Sequence, residues 1–339
     1  MKIGVVIGSS SGIGLASEAI PLLVPCLQSH EVAICQGNFG CTAIPIQWHM
    51  LSPCAAEGYI EELRNAVACL LAWGAKLLIC IGGDGLASYV LDAKILYEQG
   101  NGQKALLLGI GTGTINAGPI IRFSMSDIPN MIIDELAIES IDAVEVRVDE
   151  RHCAYAANDV VLGNSFLGIL DGKITNLSAK ELIWHGKKVV IEPSSNITAE
   201  NFCVKKNGIC IALGLDQPSQ IVISPFRKGE FFARAIVGVL CNAPFMEAAA
   251  ACGFFDTIIV KAGPPSRGFD STARSEHLLI EPGDTLDIEG LSDDADIIVD
   301  GNPFARNGRR VRFCVQREIA RILVPAHQSL QAKEVPWLQ

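Results

Sequence analysis

The chain has little positive charge. Its 27 Lys and Arg stand against 37 Asp and Glu, a formal net charge of −10 over 339 residues. That shortage excludes general nucleic-acid binding, which needs a basic surface. It leaves room for a phosphate ligand, because a few local cations and backbone N–H groups can hold one. Long apolar runs are missing too: nothing approaches the ~20 residues of a membrane-spanning helix, and the N-terminus has no basic stretch ahead of an apolar core. No membrane partner is expected. The 12 cysteines include no Cys-x-x-Cys pair and the six histidines no His-x-x-x-His spacing, so no dedicated metal site is expected. Many cysteines sit in apolar runs (Cys69, Cys80, Cys210, Cys241) and read as reduced core residues of a cytoplasmic protein.

What is present is apolar residue, 49% of the chain, enough at this length for two domains with cores. Residues 1–140 alternate strand and helix. Ile3–Ile7 and Val32–Cys35 read as strands, with a helix over Gly14–Leu27 whose end Pro21 and Pro25 blur. Ile60, Leu63, Val67, Leu70 and Leu71 form a helical stripe within 57–73. Leu77–Ile81 and Ala105–Ile110 are continuous apolar runs of the kind buried parallel strands show. Leu86, Tyr89, Val90 and Ala93 restore helical spacing between them. The series is β-α-β, hence a parallel, helix-covered sheet and an α/β domain.

The pattern changes near residue 141. Val144, Val146 and Val148 alternate with Glu145, Arg147 and Asp149. Short strands are predicted at 154–162, 187–192, 208–213, 221–224, 256–260, 284–289, 295–300 and 311–315, with helices near 229–241 and 244–252. Residues 141–315 therefore read as a mainly antiparallel β domain, and 316–339 as a C-terminal tail that docks back on the first domain.

Three predicted strands end in glycine. The first runs into Gly8-Ser9-Ser10-Ser11-Gly12-Ile13-Gly14, close to a dinucleotide fingerprint. A short-chain dehydrogenase also needs a Tyr with Lys four residues on to tune its phenol. The four tyrosines, Tyr59, Tyr89, Tyr97 and Tyr155, are followed at that spacing by Leu63, Ala93, Asn101 and Asp159. That chemistry is missing, and the opening glycines remain a phosphate loop or a tight turn. The second strand ends in Gly82-Gly83-Asp84-Gly85 and the third in Gly109-Ile110-Gly111-Thr112-Gly113-Thr114-Ile115-Asn116. Glycines allow positive φ and close backbone approach, and a helix N-terminus offers N–H donors to an anion. Three such loops on one sheet edge favour a nucleotide or polyphosphate crevice. Asp84 would hold Mg²⁺ there, accept a proton from an attacking hydroxyl, or simply cap its helix.

Other clusters read more plainly. Arg227, Lys228 and Arg234 are either phosphate-neutralising cations or a solvated loop. Arg309, Arg310 and Arg312 read as surface charges. Asp293, Asp294 and Asp296 suggest a turn into a strand rather than a calcium loop, and His185 beside Trp184 a packed or surface histidine.

These motifs resemble the NAD kinase and diacylglycerol kinase superfamily. Gly82-Gly83-Asp84-Gly85 is similar to its signature loop, and Gly111–Asn116 to its next glycine loop. Asn158-Asp159 resembles the Asn-acidic pair of NAD kinases, and Asp300-Gly301 a late Asp-Gly turn. Residues 223–231 resemble the acetoin-catabolism X branch. The resemblance implies a Rossmann-like first domain, a β-sandwich-like second domain, and transfer of a phosphoryl group from ATP with Mg²⁺ to an acceptor hydroxyl, NAD being the leading acceptor. It implies that Asp84 is catalytic, and that Gly8, Ser9, Ser10, Gly82, Gly83, Gly85, Gly111, Thr112, Gly113, Thr114 and Asn116 hold the nucleotide. It gives Asn158 and Asp159 to the acceptor, and is compatible with a homo-oligomer. Leu86 stands where the family usually has Thr, and a Gly-Ser-Thr-Ala-Tyr-like stretch is missing around 207–216. A kinase for another small alcohol, or a nucleotide-binding protein without catalysis, are the alternatives.

Overall fold

The fold is that of a computed structural model, which describes residues 1–8, 15–40, 45–112, 118–226, 249–263 and 274–326. By internal packing the chain divides into two compact units, Met1–Ile141 with Glu318–Gln339, and Asp142–Arg317.

The first unit begins with β1 (Lys2–Ile7), α1 (Leu15–Cys26), β2 (Glu31–Cys35) and β3 (His49–Leu51). It continues with α2 (Tyr59–Ala72), β4 (Leu77–Gly82), α3 (Asp84–Asn101), β5 (Leu106–Gly111) and β6 (Ile121–Ser124). The sheet order is β3-β2-β1-β4-β5, every pair parallel. One face is sealed by α1: Ile3, Val5, Ile7, Leu77, Ile79, Ile81, Leu108 and Ile110 pack with Ala19, Ile20, Leu23 and Leu27. The helix runs through Pro21 and Pro25. α2 and α3 pack together on the sheet's other side, where Arg64 bonds the buried Asp92 at 2.9 Å. Gly4 lies beneath α2, with room for no side chain: a Cβ there would come 2.9 Å from Leu78 and 3.0 Å from Leu70.

The chain then passes through β7 (Ala137–Val148), β8 (Arg151–Ala156), β9 (Val160–Gly163), the hairpin β10 (Ser165–Leu170) and β11 (Lys173–Ser178), and α4 (Ala179–His185). It goes on as β12 (Thr198–Lys206), β13 (Ile209–Ile211), β14 (Gln220–Pro225), β15 (Ala250–Phe255) and β16 (Ser275–Ile280). It closes with β17 (Thr285–Leu291), β18 (Asp296–Val299), β19 (Asn302–Ala305) and β20 (Arg310–Val324). In the second unit β13-β12-β17-β20 pair antiparallel in that order, and a second sheet runs β16-β15-β14-β9-β18-β19, antiparallel throughout. An α/β parallel-sheet unit and a largely antiparallel β unit are therefore both present, as the sequence predicts.

Several elements differ from expectation. The predicted strand 154–162 is two strands, parted by a turn at 157–159. Residues 187–192 form only an isolated bridge, Val190 to Leu177. Residues 256–260 are not strand, and Ala250–Cys252, expected as the end of the helix at 244–252, belong to the strand β15, which is paired on both edges. A short apolar run has no period to tell helix from strand, and here two neighbouring strands decide. The predicted helix at 229–241 lies outside the described residues. The expected tail from 316 is strand as far as Val324: Arg321 and Ile322 pair in parallel with Leu106 and Leu107 of β5.

Candidate functional site

In a parallel sheet of this order, the chain leaves β1 toward one edge and β4 toward the other. The carboxyl ends of β1 and β4 thus flank the reversal point, where open α/β sheets leave a crevice for ligands. Three backbone features fix the glycine-bearing strand ends there. Gly8 N–H donates to Ile81 O at 2.9 Å, Thr112 N–H donates to Gly82 O at 3.0 Å, and Gly82 is in register with Gly111. The three ends stand side by side. Ser9, Ser10, Gly113, Thr114 and Asn116 lie outside the described residues.

The glycines after β4 do not work as expected. Gly83 is extended (φ −98°, ψ 177°), and none of Gly82, Gly83 and Gly85 has positive φ. The use of Gly83 is space: a Cβ there would meet nothing within 4 Å among the described residues, so its face is open to close approach. Asp84 is the first residue of α3, and Gly83 before it gives no side-chain cap. The Asp84 carboxylate reaches instead beyond the end of β5, Oδ2 accepting from Gly118 N–H at 3.0 Å. Glycine at 118 permits this, since a Cβ would stand 3.1 Å from Asp84 Oδ1. Below this carboxylate, burial pushes the Cys80 thiol well up, with the charge of Asp84 adding to the shift. The thiol therefore stays neutral.

Thr112, 6% exposed, keeps its hydroxyl oxygen buried with no hydrogen-bond partner among the described residues. A buried hydroxyl without a partner is costly unless a ligand satisfies it. Leu86 is also 6% exposed, an apolar side chain turned inward on α3 where a threonine would bring a hydroxyl.

In the second unit, Asn158 and Asp159 occupy the turn between β8 and β9. Asp300, between β18 and β19, clasps that turn. Its Oδ2 accepts from Ala157 N–H at 3.0 Å, and its Oδ1 from Asn158 and Asp159 N–H at 2.8 and 2.9 Å. In return Asp300 N–H donates to Asp159 O at 2.9 Å. Positive φ at Asp300 (47°) and Gly301 (80°) turns the carboxylate onto the three donors. Ser224 Oγ donates to Asn158 O at 2.5 Å from β14. Asn158 Nδ2 bonds Asp159 Oδ2 at 3.3 Å, while Asn158 Oδ1 is buried with no partner among the described residues. Sequence reasoning noted the Asp-Gly turn but not its grip. Three consecutive N–H groups on one carboxylate 141 to 143 positions away leave no local pattern.

The remaining candidates resolve into structure. Arg312 pairs bidentately with Asp287 at 2.7 and 3.1 Å, and Arg310 pairs with Glu150. Asp296, 1% exposed, faces Arg306 at 2.5 Å instead of forming part of a calcium loop. Trp184 is exposed at the end of α4. Arg227, Lys228 and Arg234 lie outside the described residues.

The two units together define a fold class: a doubly wound α/β unit followed by an antiparallel β unit, the fold of NAD kinase and diacylglycerol kinase-like proteins. No family model matches the chain, and no curated protein matches it in sequence. Among solved structures it is similar to a putative diacylglycerol kinase from Bacillus anthracis str. Sterne, with 14% identity and a TM-score of 0.57 over 96% of this chain and 98% of that one. It is also similar to yeast NADH kinase complexed with NADH, with 13% identity and a TM-score of 0.51 over 99% and 87%. At these identities the likeness is one of fold.

Proposed function

We propose that the chain is an ATP-dependent phosphotransferase that moves a phosphoryl group to an alcohol. One observation carries the reading: three glycine-bearing strand ends stand side by side at the carboxyl edge of a doubly wound sheet, and the Asp84 carboxylate, just after the middle one, accepts from Gly118 N–H beyond the third.

The parts divide the work. The N-terminus of α3 presents N–H groups and the positive end of its dipole to an anion, and the open face of Gly83 lets a phosphate come close. The Thr112 hydroxyl would donate to a phosphate oxygen. Asp84 accepts or orients the proton of the attacking hydroxyl. ATP with Mg²⁺ supplies the transferable group and neutralises its charge. Among the described residues no cluster of three or more His, Cys, Asp or Glu could hold a metal alone. Asn158 and Asp159 would hydrogen-bond a ribose or similar polyol, held in place by Asp300.

NAD is the leading acceptor, supported by the Asn-acidic pair and by the likeness to a NADH kinase. A second reading, supported by the likeness to a diacylglycerol kinase-like structure, is an alcohol that is not a dinucleotide. The test is incubation with ATP, Mg²⁺ and NAD. NADP with stoichiometric ADP supports the first reading, and ADP release only with another alcohol supports the second. Neither, across a panel of polyols, rejects a phosphotransferase.

A further inference from the structure

We infer that Tyr59 is the platform on which the purine of the donor nucleotide stacks. The inference rests on the phosphotransferase reading, which requires a nucleotide triphosphate but leaves its base without a partner.

Phosphates held at the N-terminus of α3 stand at the reversal point between β1 and β4, and a sheet of this order places a nucleotide's ribose near the end of β2. A base joined to that ribose extends over the β2 and β3 side of the same edge. The residues there are aromatic. Phe39, on the loop after β2, is tied to the sheet by Ile7 N–H donating to its carbonyl at 3.0 Å. Tyr59 is the first residue of α2, which follows β3, and Tyr89 lies on α3 five residues past Asp84. The Tyr59 ring stands at 73° to that of Phe39, with centroids 4.8 Å apart, and at 64° to that of Tyr89, with centroids 5.6 Å apart. Both neighbours are buried, Phe39 at 3% and Tyr89 at 8% exposure, whereas Tyr59 is 44% exposed.

Burial, and secondarily Cys80 of β4, push the Tyr59 phenol up to about 12, so it stays neutral. A flat ring is thus gripped by two others and left open at the edge where the phosphate loops gather. Such a ring is already ordered, so stacking on it immobilises little.

The experiment compares binding of ATP and inorganic tripolyphosphate, each with Mg²⁺, to the full chain by calorimetry. Wild type should bind ATP more tightly than tripolyphosphate. Tyr59→Ala should weaken ATP by about ten-fold, the scale of base–aromatic stacking, and leave tripolyphosphate unchanged. Tyr59→Phe should restore ATP binding. Equal loss of both ligands in Tyr59→Ala, or ATP binding that ignores the substitution, overturns the platform while leaving the phosphate site standing. If neither ligand binds wild type, the phosphotransferase reading itself falls and takes the platform with it.

Discussion

Replacing Asp84 by Asn separates charge from geometry, because an amide oxygen can still accept from Gly118 N–H. The variant should fold and bind nucleotide as wild type does, and lose about 10²–10⁴-fold in kcat, the range of a positioned acid or base. Steady-state kinetics with a matched melting curve check it. Two buried carboxylates give opposite pH signatures. Glu145, 4% exposed, is held down to about 2, first by a hydrogen bond with His152 and then by Arg147. Its contribution is complete above the ordinary 4.5 and disappears as pH falls toward 2. Asp296 is raised to about 6 by burial, which outweighs Arg306. Between its ordinary 3.8 and 6 the folded chain keeps a proton that the unfolded chain has lost, so stability falls as pH rises through that window. Denaturant midpoints across pH 3.5–7 should show this fall in wild type and its absence in Asp296→Asn. At this scale Asp84 is legible because its glycines and its strand are adjacent in sequence. Its partner Gly118 is not, standing 34 residues away with nothing local to mark it.

Elements are governed by what they pack against. Gly4 in β1 meets Leu70 of α2 so closely that Gly4→Val should destabilise the first unit by about 1–3 kcal/mol, the cost of overpacking. The expected observation is a lower melting temperature with unchanged ligand affinity per folded molecule. The turn of Asn158 and Asp159 is an element held by a distant side chain. Asp300→Ala leaves three N–H donors without their acceptor and should cost about 2 kcal/mol or more. Amide exchange at residues 157–159 should rise well before exchange in β1 or β4. The continuous apolar runs of β1, β4 and β5 are legible, since buried parallel strands carry no polar face. β3, three residues long, is too short for any pattern. β20 is half legible: Val311, Phe313 and Val315 alternate, but Gln316, Arg317 and Glu318 break the run. The strand resumes beyond Glu318, itself at φ 49°, where Arg321 and Ile322 pair with the first residues of β5, ahead of those that β6 takes.

At the scale of the whole molecule, composition already separates the two units. Apolar runs spaced by helical stripes fill the first, and short alternating strands between Asp-Gly and Asn-Gly turns fill the second. What composition does not carry is sheet order. It is the β3-β2-β1-β4-β5 arrangement that brings residues 8, 82 and 111–112 together from separate loops. The Asp84 carboxylate at those strand ends makes phosphoryl transfer the chemistry to test. The most direct measurement is ADP release from ATP and Mg²⁺ by wild type and Asp84→Asn, each with and without NAD or another alcohol. The account predicts acceptor-dependent ADP release by wild type and its near loss in Asp84→Asn, with ATP binding intact. Equal turnover in the two proteins, or ATP bound by wild type and never cleaved with any alcohol supplied, would contradict it.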